Sequence, residues 1–316
     1  MASALQNSRL VPRPRPPSAL TTPLEVVKQI SSEHRLGNYS VIAPLGRGGT
    51  AGVYLAEHLV TKERVALKVL DPYYCEHAEV VERLFAERAV SERVRHIGLL
   101  DIQMSDRSTD GVPYLVMEYL DGENLGVLAE RGRIALDAVV AIGAQIAEAL
   151  GALHTAGIVH CDVKPDNVFV LYQTGPGGWP RVKMIDYGVA RMIDAGPLPG
   201  STIAGTPSYM SPEQWRGEPS VKSDVYSLGI LLYELVTGDQ PFNGTLSQLM
   251  TAHCERLPER PGVRNSELSA EFERLIMRAL SKDPALRPTM GEMELGLSRL
   301  LQSWNAPSTN VLAAVG

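Results

Sequence analysis

The feature that most constrains the fold is a change in the predicted secondary structure at Asp121-Gly122, a turn dipeptide. Before this turn, short runs such as residues 64–70 have the apolar, β-branched character of strands. After it, apolar residues recur at helical spacing, most clearly over residues 134–154. The sequence therefore predicts an α+β chain with a small strand-rich lobe, residues 38–120, and a larger helical lobe, residues 121–304.

A glycine-rich stretch follows the first predicted strand, residues 39–45. It reads G-R-G-G-T-A-G over residues 46–52 and continues into residues 53–56, which are β-like. Glycines let the backbone approach a phosphate closely. A dinucleotide-binding fold would require a helix after the glycines, so the strand found here disfavours that fold. The pattern predicts a hairpin that can cover a phosphate, with an ordinary hairpin turn as the alternative.

Residues 160–167 read H-C-D-V-K-P-D-N and combine three groups that are suited to phosphoryl transfer. The carboxylate of Asp162 can accept a proton from a hydroxyl, Lys164 can hold a phosphate, and the Asn167 oxygen can bind a hard metal ion. Asp186, at the end of a predicted strand, is a second candidate metal ligand; an aspartate that only shapes a turn is the alternative. Small-molecule phosphotransferases also carry H-x-D-x-x-x-x-N, so this stretch alone leaves the substrate open.

Two charged residues of the strand-rich lobe complete the candidate site. Lys68 lies within the apolar strand over residues 64–70, and its long stem could reach from the strand into a cleft. Glu87 lies on a predicted helix, residues 80–94, and could pair with Lys68 across that cleft. The alternatives are a surface lysine and a solvated glutamate, which are common fates of single charged residues.

Net charge and cysteine content limit the classes of partner. The formal net charge is −6 and the pI about 5.7, which argues against a dedicated nucleic-acid binder. The three cysteines include no C-x-x-C pair, which argues against a disulfide framework or a zinc site and indicates a reducing compartment. We therefore expect a cytoplasmic protein without a nucleic-acid partner.

The two ends of the chain differ from the rest in composition. Residues 1–23 are rich in proline, serine and arginine, and residues 1–37 are predicted to form a disordered or loosely packed leader. Residues 305–316 are predicted to be a flexible tail. No stretch is expected to reach the ~20 apolar residues of a membrane helix. The longest candidate, residues 225–236, contains Glu234, so no membrane anchor is expected in this chain.

Taken together, these segments resemble the protein kinase domain, specifically the eukaryotic-like serine/threonine kinases of bacteria, over residues 39–302. The resemblance implies the two-lobed kinase fold, ATP as phosphoryl donor, and Mg²⁺ with Mn²⁺ as an alternative. It implies protein substrates with serine or threonine, and it is compatible with a homodimer that autophosphorylates in trans. A pseudokinase scaffold that binds nucleotide without efficient catalysis is the alternative.

The resemblance also implies individual roles. Asp162 matches the catalytic base and Lys164 the γ-phosphate contact, while Asn167 and Asp186 match the metal ligands. Lys68 matches the lysine on the α- and β-phosphates, with Glu87 as its partner. The remaining expected nucleotide contacts come from the glycine-rich loop, the strands beside adenine and the hinge: Leu45, Gly46, Arg47, Gly48, Gly49, Val53, Ala66, Met117, Glu118, Leu120 and Phe169.

Two positions depart from the family pattern. Cys161 stands where H-R-D has an arginine, and a thiol cannot bind an activation-segment phosphate as an arginine does. We therefore expect phosphorylation of Ser201 or Thr202 to be dispensable for basal activity. A redox switch at Cys161 is the alternative to an inert, packed thiol. Tyr187 replaces the phenylalanine of D-F-G, and its hydroxyl needs a partner if the ring is buried.

The resemblance also predicts contacts that hold the helical lobe together. Glu213, at the end of S-P-E, is expected to pair with Arg287 of D-P-A-L-R-P. Asp224 is expected to brace the catalytic loop, with His154 in support.

Overall fold

The structure, a computed structural model, describes residues 35–175, 178–193 and 205–304. The predicted leader up to residue 34, the predicted tail, residues 305–316, and the positions Ser201 and Thr202 lie outside these ranges. The predicted two-lobed α+β architecture is confirmed. Its division at residues 120/121 falls between a strand that ends at Glu118 and one that begins at Gly122.

The small lobe is a six-stranded antiparallel sheet with one long helix on it. The strand order is β1-β2-β3-β4-β6-β5, and the helix, α1, covers Ala78–Arg93. The strands are β1 Arg35–Leu36, β2 Tyr39–Arg47, β3 Ala51–His58, β4 Arg64–Leu70, β5 Ile102–Arg107 and β6 Pro113–Glu118. The glycine-rich stretch joins β2 to β3 as predicted, and β5 was missed.

Strand β4 lies at the centre because it is apolar on both faces. Leu67 packs with Tyr54 and Val116 on one face of the sheet, and Ala66 and Leu70 pack on the other. A strand with two buried faces is expected to be a continuous apolar run, and β4 follows this rule after its exposed first residue, Arg64, except at Lys68.

One expectation about the leader was wrong. Leu36 is buried, and Arg35–Leu36 pairs with β2, so the sheet begins before residue 38. The physical reason is that Leu36 packs in the same apolar cluster as Val41 and Tyr54.

The larger lobe is built from helices around two buried ones. Its helices are α2 Leu125–Glu130, α3 Leu136–Thr155, α4 Pro212–Trp215, α5 Val221–Thr237, α6 Leu246–Glu255, α7 Pro261–Arg264, α8 Ala270–Ala279 and α9 Met290–Ser303. Helices α3 and α5 approach closely at Gly143, where an added Cβ would come within 2.8 Å of the Leu232 side chain. The centre of the core therefore lies between α3 and α5.

Helix α3 corrects the expectation about long apolar segments. Its 20 residues are long and apolar enough to cross a membrane by length and composition alone. In the structure, 72% of its apolar window is buried inside the lobe, which is the burial of a core helix. Among the residues that the structure describes, no other helix meets the same length and composition criteria.

Short strands join the two lobes and carry the 160–167 stretch. Strands β7 Gly122–Asn124, β9 Val168–Thr174 and β10 Pro180–Met184 form a sheet of order β10-β9-β7. Strand β8 Ile158–Val159 pairs with β11 Arg191–Met192. Residues 160–167 therefore lie between β8 and β9. Met184 bonds to backbone groups of the small lobe, with its oxygen accepting from Leu100 N at 2.9 Å.

Candidate active site

Lys68 and Glu87 form an ion pair between strand β4 and helix α1. Lys68 Nζ lies 2.7 and 2.8 Å from the two Glu87 carboxylate oxygens, and 3.6 Å from Asp186 Oδ1. Burial lowers the pKa of Lys68, but the carboxylates of Glu87 and Asp186 outweigh burial and raise it overall. The lysine is therefore held as a cation, and the surface-lysine and solvated-glutamate alternatives are wrong.

The local sequence explains why Glu87 is the glutamate that turns inward. The buried face of helix α1 consists of Val81, Leu84, Glu87 and Ser91, which recur at helical spacing. The neighbouring Glu79, Glu82 and Glu92 are exposed. Glu87 thus lies on the buried face of the helix. Its helical spacing from Val81 and Leu84 distinguishes it from the exposed glutamates.

Asp162, Lys164 and Thr206 form a closed triangle of contacts. Thr206 Oγ1 donates to Asp162 Oδ1 at 2.6 Å and accepts from Lys164 Nζ at 2.7 Å. Lys164 Nζ also lies 2.9 Å from Asp162 Oδ2. The loop segment that supplies Thr206 is therefore fixed against the carboxylate and the ammonium group at once.

Asn167 and Asp186 offer oxygen atoms that fit a divalent cation. The Asn167 amide donates to Asp162 O at 2.8 Å and to Asp162 Oδ2 at 2.9 Å, so its carbonyl oxygen is the group left for a ligand. Burial opposes ionisation of Asp186, but Lys68 and the Gly188 N–H outweigh it and hold its pKa below the ordinary value. An ionised carboxylate and an amide oxygen suit Mg²⁺, which takes few protein ligands beside substrate phosphates.

This donor set is small by the standard of a protein-only metal site. Within residues 35–175, 178–193 and 205–304, no group of three or more His, Cys, Asp or Glu could hold an ion. The residues present therefore fit a cation that arrives with phosphates and completes its shell with phosphate and water oxygens.

Asp224 braces the backbone of the 160–167 stretch, as predicted. It is fully buried on α5 and accepts from His160 N and Cys161 N, each at 2.9 Å, and from His154 Nε2 at 2.7 Å. Cys161 has φ of +67°, a left-handed conformation that is unfavourable for a residue other than glycine. The bonds to Asp224, and one from Gln214 Nε2 to Cys161 O at 2.8 Å, hold that conformation.

Glu213 and Arg287 form the predicted pair inside the larger lobe. The guanidinium is bidentate, with Nη1 to Oε1 at 2.6 Å and Nη2 to Oε2 at 2.9 Å. Ser223 Oγ also donates to Glu213 at 2.7 Å. Burial opposes ionisation of Glu213, but the bonds from Arg287 and Ser223 hold its pKa below the ordinary value.

The glycine-rich loop has the open space that its predicted role requires. An added Cβ at Gly46 or Gly49 would meet nothing within 4 Å, and at Gly48 only the Ala51 carbonyl at 3.7 Å. The Arg47 side chain, by contrast, contacts the Asp71 carboxylate. Of Arg47, therefore, the backbone rather than the guanidinium is available to a ligand in this conformation.

The residues expected beside adenine lie on β3, β4, β6 and β9. Ala66 pairs with Met117 across β4 and β6, and Val53 pairs with Lys68 across β3 and β4. Leu45 is exposed beside the glycines, while Phe169 on β9 belongs to the larger lobe.

The hinge residues differ in what they can offer a nucleotide. Glu118 N donates to Asp101 O at 3.0 Å, and its carboxylate bonds to Lys183 Nζ at 2.6 Å and Asp101 N at 2.7 Å. The carboxylate is therefore committed to the protein, and the Glu118 carbonyl is the group that could serve a ligand. Leu120 follows two residues later, between β6 and β7.

Sequence reasoning missed two side chains that hold these groups. Lys183 fixes Glu118 at the hinge, and Asp71 holds Arg47 of the glycine-rich loop. Lys183 carried a signal, because it is a lysine inside a predicted apolar strand, as Lys68 is. Asp71 carried none, since it simply follows strand β4.

Comparison with known proteins agrees with this geometry. A family model described as the protein kinase domain matches residues 39–295. The chain is 40% identical over 256 residues to serine/threonine-protein kinase Pkn1 of Myxococcus xanthus, covering 79% of this chain and 36% of that protein. It is 37% identical over 278 residues to PkaA of Streptomyces coelicolor, covering 82% and 49%. It is 34% identical over 292 residues to PknB of Mycobacterium tuberculosis, covering 89% and 44%. The chain thus spans less than half of the length of each of these relatives.

Proposed function

The chain belongs to the protein kinase domain family, among the eukaryotic-like serine/threonine kinases of bacteria, and we propose that it transfers the γ-phosphoryl group of ATP to protein serine and threonine hydroxyls. The triangle of Asp162, Thr206 and Lys164 carries this proposal, because it joins the candidate base and phosphate contact to the segment that follows D-Y-G. By the resemblance to the family, a segment of this kind after Asp186-Tyr187-Gly188 is typical of protein kinases and not of small-molecule phosphotransferases.

In the proposed reaction, a bond forms between the substrate hydroxyl oxygen and the γ-phosphorus while the bond to the β,γ-bridging oxygen breaks. Asp162 accepts the hydroxyl proton. Its two carboxylate oxygens are oriented by Thr206 on one side and by Asn167 and Lys164 on the other. The carboxylate therefore needs no reorientation as the reaction proceeds.

The two lysines would serve different phosphates. Lys164, beside Asp162, would offset the charge that spreads over the transferred phosphoryl oxygens. Lys68, whose raised pKa keeps it cationic, would hold the α- and β-phosphates under the backbone of Gly46 to Gly49. Asn167 and Asp186 would hold Mg²⁺, or alternatively Mn²⁺, and a bound divalent cation offsets the negative charge of the phosphates.

The remaining nucleotide contacts are proposed from position. Val53, Ala66 and Met117 would pack against one face of adenine and Phe169 against the other, with Leu45 at the edge. The Glu118 carbonyl and a backbone group of Leu120 would bond to the base.

The pseudokinase alternative is not supported. The lysine and glutamate are paired, the base and its neighbours are in contact, and both candidate metal ligands present oxygen atoms. The named relatives are serine/threonine-protein kinases.

We also propose that the kinase is of the non-RD type. Cys161 is 3% exposed, and burial, followed by the charge of Asp224, raises the pKa of its thiol. A buried neutral thiol cannot bind a phosphate and reacts slowly with oxidants, which favours the inert packed thiol over a redox switch.

All three cysteines are free, in keeping with the proposed cytoplasmic location. We further propose that autophosphorylation proceeds in trans within a homodimer.

The test is a phosphotransfer assay with radiolabelled ATP, Mg²⁺ and a generic protein substrate, followed by phosphoamino-acid analysis. We expect phosphoserine and phosphothreonine from the wild type. Lys68→Met and Asp186→Asn should each lower kcat/KM by at least ~100-fold, because each removes a charge that stabilises the transition state. Lys62→Met is the matched control, since Lys62 is exposed and, among the described residues, its ion-pair partner is Glu57. Full activity in Lys68→Met or Asp186→Asn would refute the assignment.

A further inference from the structure

A short backbone segment, Leu100–Ile102, bonds to both sides of the ion-pair cluster. The Tyr187 hydroxyl donates to Leu100 O at 3.2 Å. Ser91 Oγ accepts from Ile102 N at 2.9 Å and lies 3.4 Å from the same Leu100 oxygen. Tyr187 follows Asp186 directly, and Ser91 lies one helical turn after Glu87. One segment therefore anchors the helix that carries Glu87 and the turn that carries Asp186.

Both hydroxyls are buried where an apolar side chain would be expected. Tyr187 is 3% exposed and Ser91 4% exposed. Ser91 occupies the same buried face of α1 as Val81 and Leu84. Burying a hydroxyl is costly unless it is hydrogen-bonded, and these two are satisfied by one short stretch of backbone.

The anchor segment is itself fixed to the larger lobe. Leu100 N donates to Met184 O at 2.9 Å, and Met184 lies two residues before Asp186. On its other side, the Tyr187 ring meets the His160 ring edge-on at 6.2 Å between centroids. The anchor thus connects β10, the Asp186 turn and helix α1 beside the 160–167 loop.

The space between the two anchored carboxylates is tight. An added Cβ at Gly188 would lie 3.1 Å from Asp186 Oδ1 and 3.4 Å from Glu87 Oε1. Lys68 reaches both carboxylates only while α1 and the Asp186 turn stay this close. Small displacements of either element would therefore separate Lys68 from one of them.

We propose that the hydroxyls of Tyr187 and Ser91 are positioning groups that clamp helix α1 and the Asp186 turn to Leu100–Ile102, and so hold Lys68, Glu87 and Asp186 in their reactive arrangement. The clamp rests on the proposed function for its catalytic consequence. It acts from within the folded chain and needs no phosphate on the segment after D-Y-G. This independence from phosphorylation agrees with Cys161, whose thiol cannot bind such a phosphate.

The test compares Tyr187→Phe with Tyr114→Phe. Tyr114 is the matched control, because its hydroxyl is also buried in the small lobe and bonds to Asp106 Oδ2 at 3.4 Å, away from the site. Both variants keep the ring and lose one hydroxyl. Tyr187→Phe should lower kcat about five-fold and raise the Mg²⁺ concentration for half-maximal rate by a similar factor, as expected for one buried hydrogen bond. Tyr114→Phe should change neither quantity.

A second readout needs no nucleotide or metal. Hydrogen exchange of the α1 amides around Glu87 and Ser91 should be faster in Tyr187→Phe by about five-fold and unchanged in Tyr114→Phe. Ser91→Ala should behave like Tyr187→Phe, and Ser91→Thr, which keeps the hydroxyl, should behave like the wild type. The effects of Ser91→Ala and Tyr187→Phe should be non-additive, because they share one anchor.

Each outcome decides the question. Equal losses of global stability in Tyr187→Phe and Tyr114→Phe, with α1 exchange and Mg²⁺ dependence unchanged, would overturn the clamp. If the wild type transfers no phosphate but α1 exchange responds as described, the clamp stands and the proposed function fails.

Discussion

Two buried ion pairs hold this molecule together in different ways. Arg287 uses all five of its N–H groups: two go to Glu213, and one each to the backbone oxygens of Ser281, Lys222 and Lys282. Lys68 makes two hydrogen bonds, both to Glu87, and lies 3.6 Å from Asp186. The saturated pair has no capacity left for a ligand, whereas the unsaturated pair does.

This difference separates structure from site more clearly than burial does, because all four residues are largely buried. A buried charge whose hydrogen bonds all go to protein groups stabilises the fold. A charge left with an unfilled contact, next to open space above glycines, can receive a phosphate.

The largest effect should come from breaking the saturated pair. Arg287→Met leaves the Glu213 carboxylate and three backbone oxygens without their donors, so the free energy of unfolding should fall by about 3–5 kcal/mol. Urea denaturation followed by circular dichroism measures this loss. Glu57→Gln, which breaks the exposed pair with Lys62, is the control and should cost less than ~1 kcal/mol. A loss in Arg287→Met as small as in this control would remove the distinction between the two pairs.

A pH effect of intermediate size sharpens the account of the same region. His253 is fully buried, accepts or donates at the Tyr226 hydroxyl at 3.1 Å, and packs edge-on against Phe242. Burial, with the nearby charge of Lys282, lowers its pKa to about 4. Arg287 lies over the Tyr226 ring, which His253 also contacts, so His253 belongs to the packing around the saturated pair.

The sign follows from proton uptake. Below its ordinary pKa near 6.5, His253 becomes protonated in the unfolded chain, while the folded chain resists protonation until about pH 4. Stability is therefore complete above pH 6.5 and falls as the pH drops towards 4, by about 2 kcal/mol at pH 5 from this group. Denaturation curves should show that the free energy of unfolding falls less between pH 7.5 and pH 5 in His253→Gln than in the wild type. An identical drop would show that His253 is not the group responsible.

Sequence patterns predicted the elements whose periodicity is strong. Strand β4 covers residues 64–70, as predicted, and helix α5 ends at Thr237 because Gly238 adopts a left-handed φ of +83°. Strand β5 was missed because its alternation of apolar and polar residues stops after I-Q-M-S, and Ile102 is its one buried residue. Helix α2 was missed because six residues carry too little periodic signal.

Residue types also pointed to the candidate site and to two of the ion pairs, Lys68 with Glu87 and Glu213 with Arg287, but other side-chain partners could not be predicted. Motif order places Asp162, Asn167 and Asp186, while the pairing of Arg47 with Asp71 depends on how two distant segments meet. The same holds for Tyr187, whose need for a hydrogen-bond partner followed from its hydroxyl. That the partner is Leu100 O follows only from the bridge between β10 and the small lobe.

We expect the smallest effect from removing the hydroxyls that could be phosphorylated on the segment after Asp186-Tyr187-Gly188. The double variant Ser201→Ala/Thr202→Ala removes two hydroxyls that lie outside the described residues. Cys161 is uncharged, and the loop that contains it is held by Asp224 and Gln214 rather than by a phosphate. Basal kcat/KM should therefore stay within about two-fold of the wild type, since no arginine is present at this position to gain from the added charge. Initial rates of the wild type, measured after autophosphorylation and again after phosphatase treatment, and of the double variant measure this directly. A double variant more than about ten-fold slower would mean that another cation binds a phosphate on this segment. The active arrangement around Lys68 and Glu87 would then depend on that phosphate.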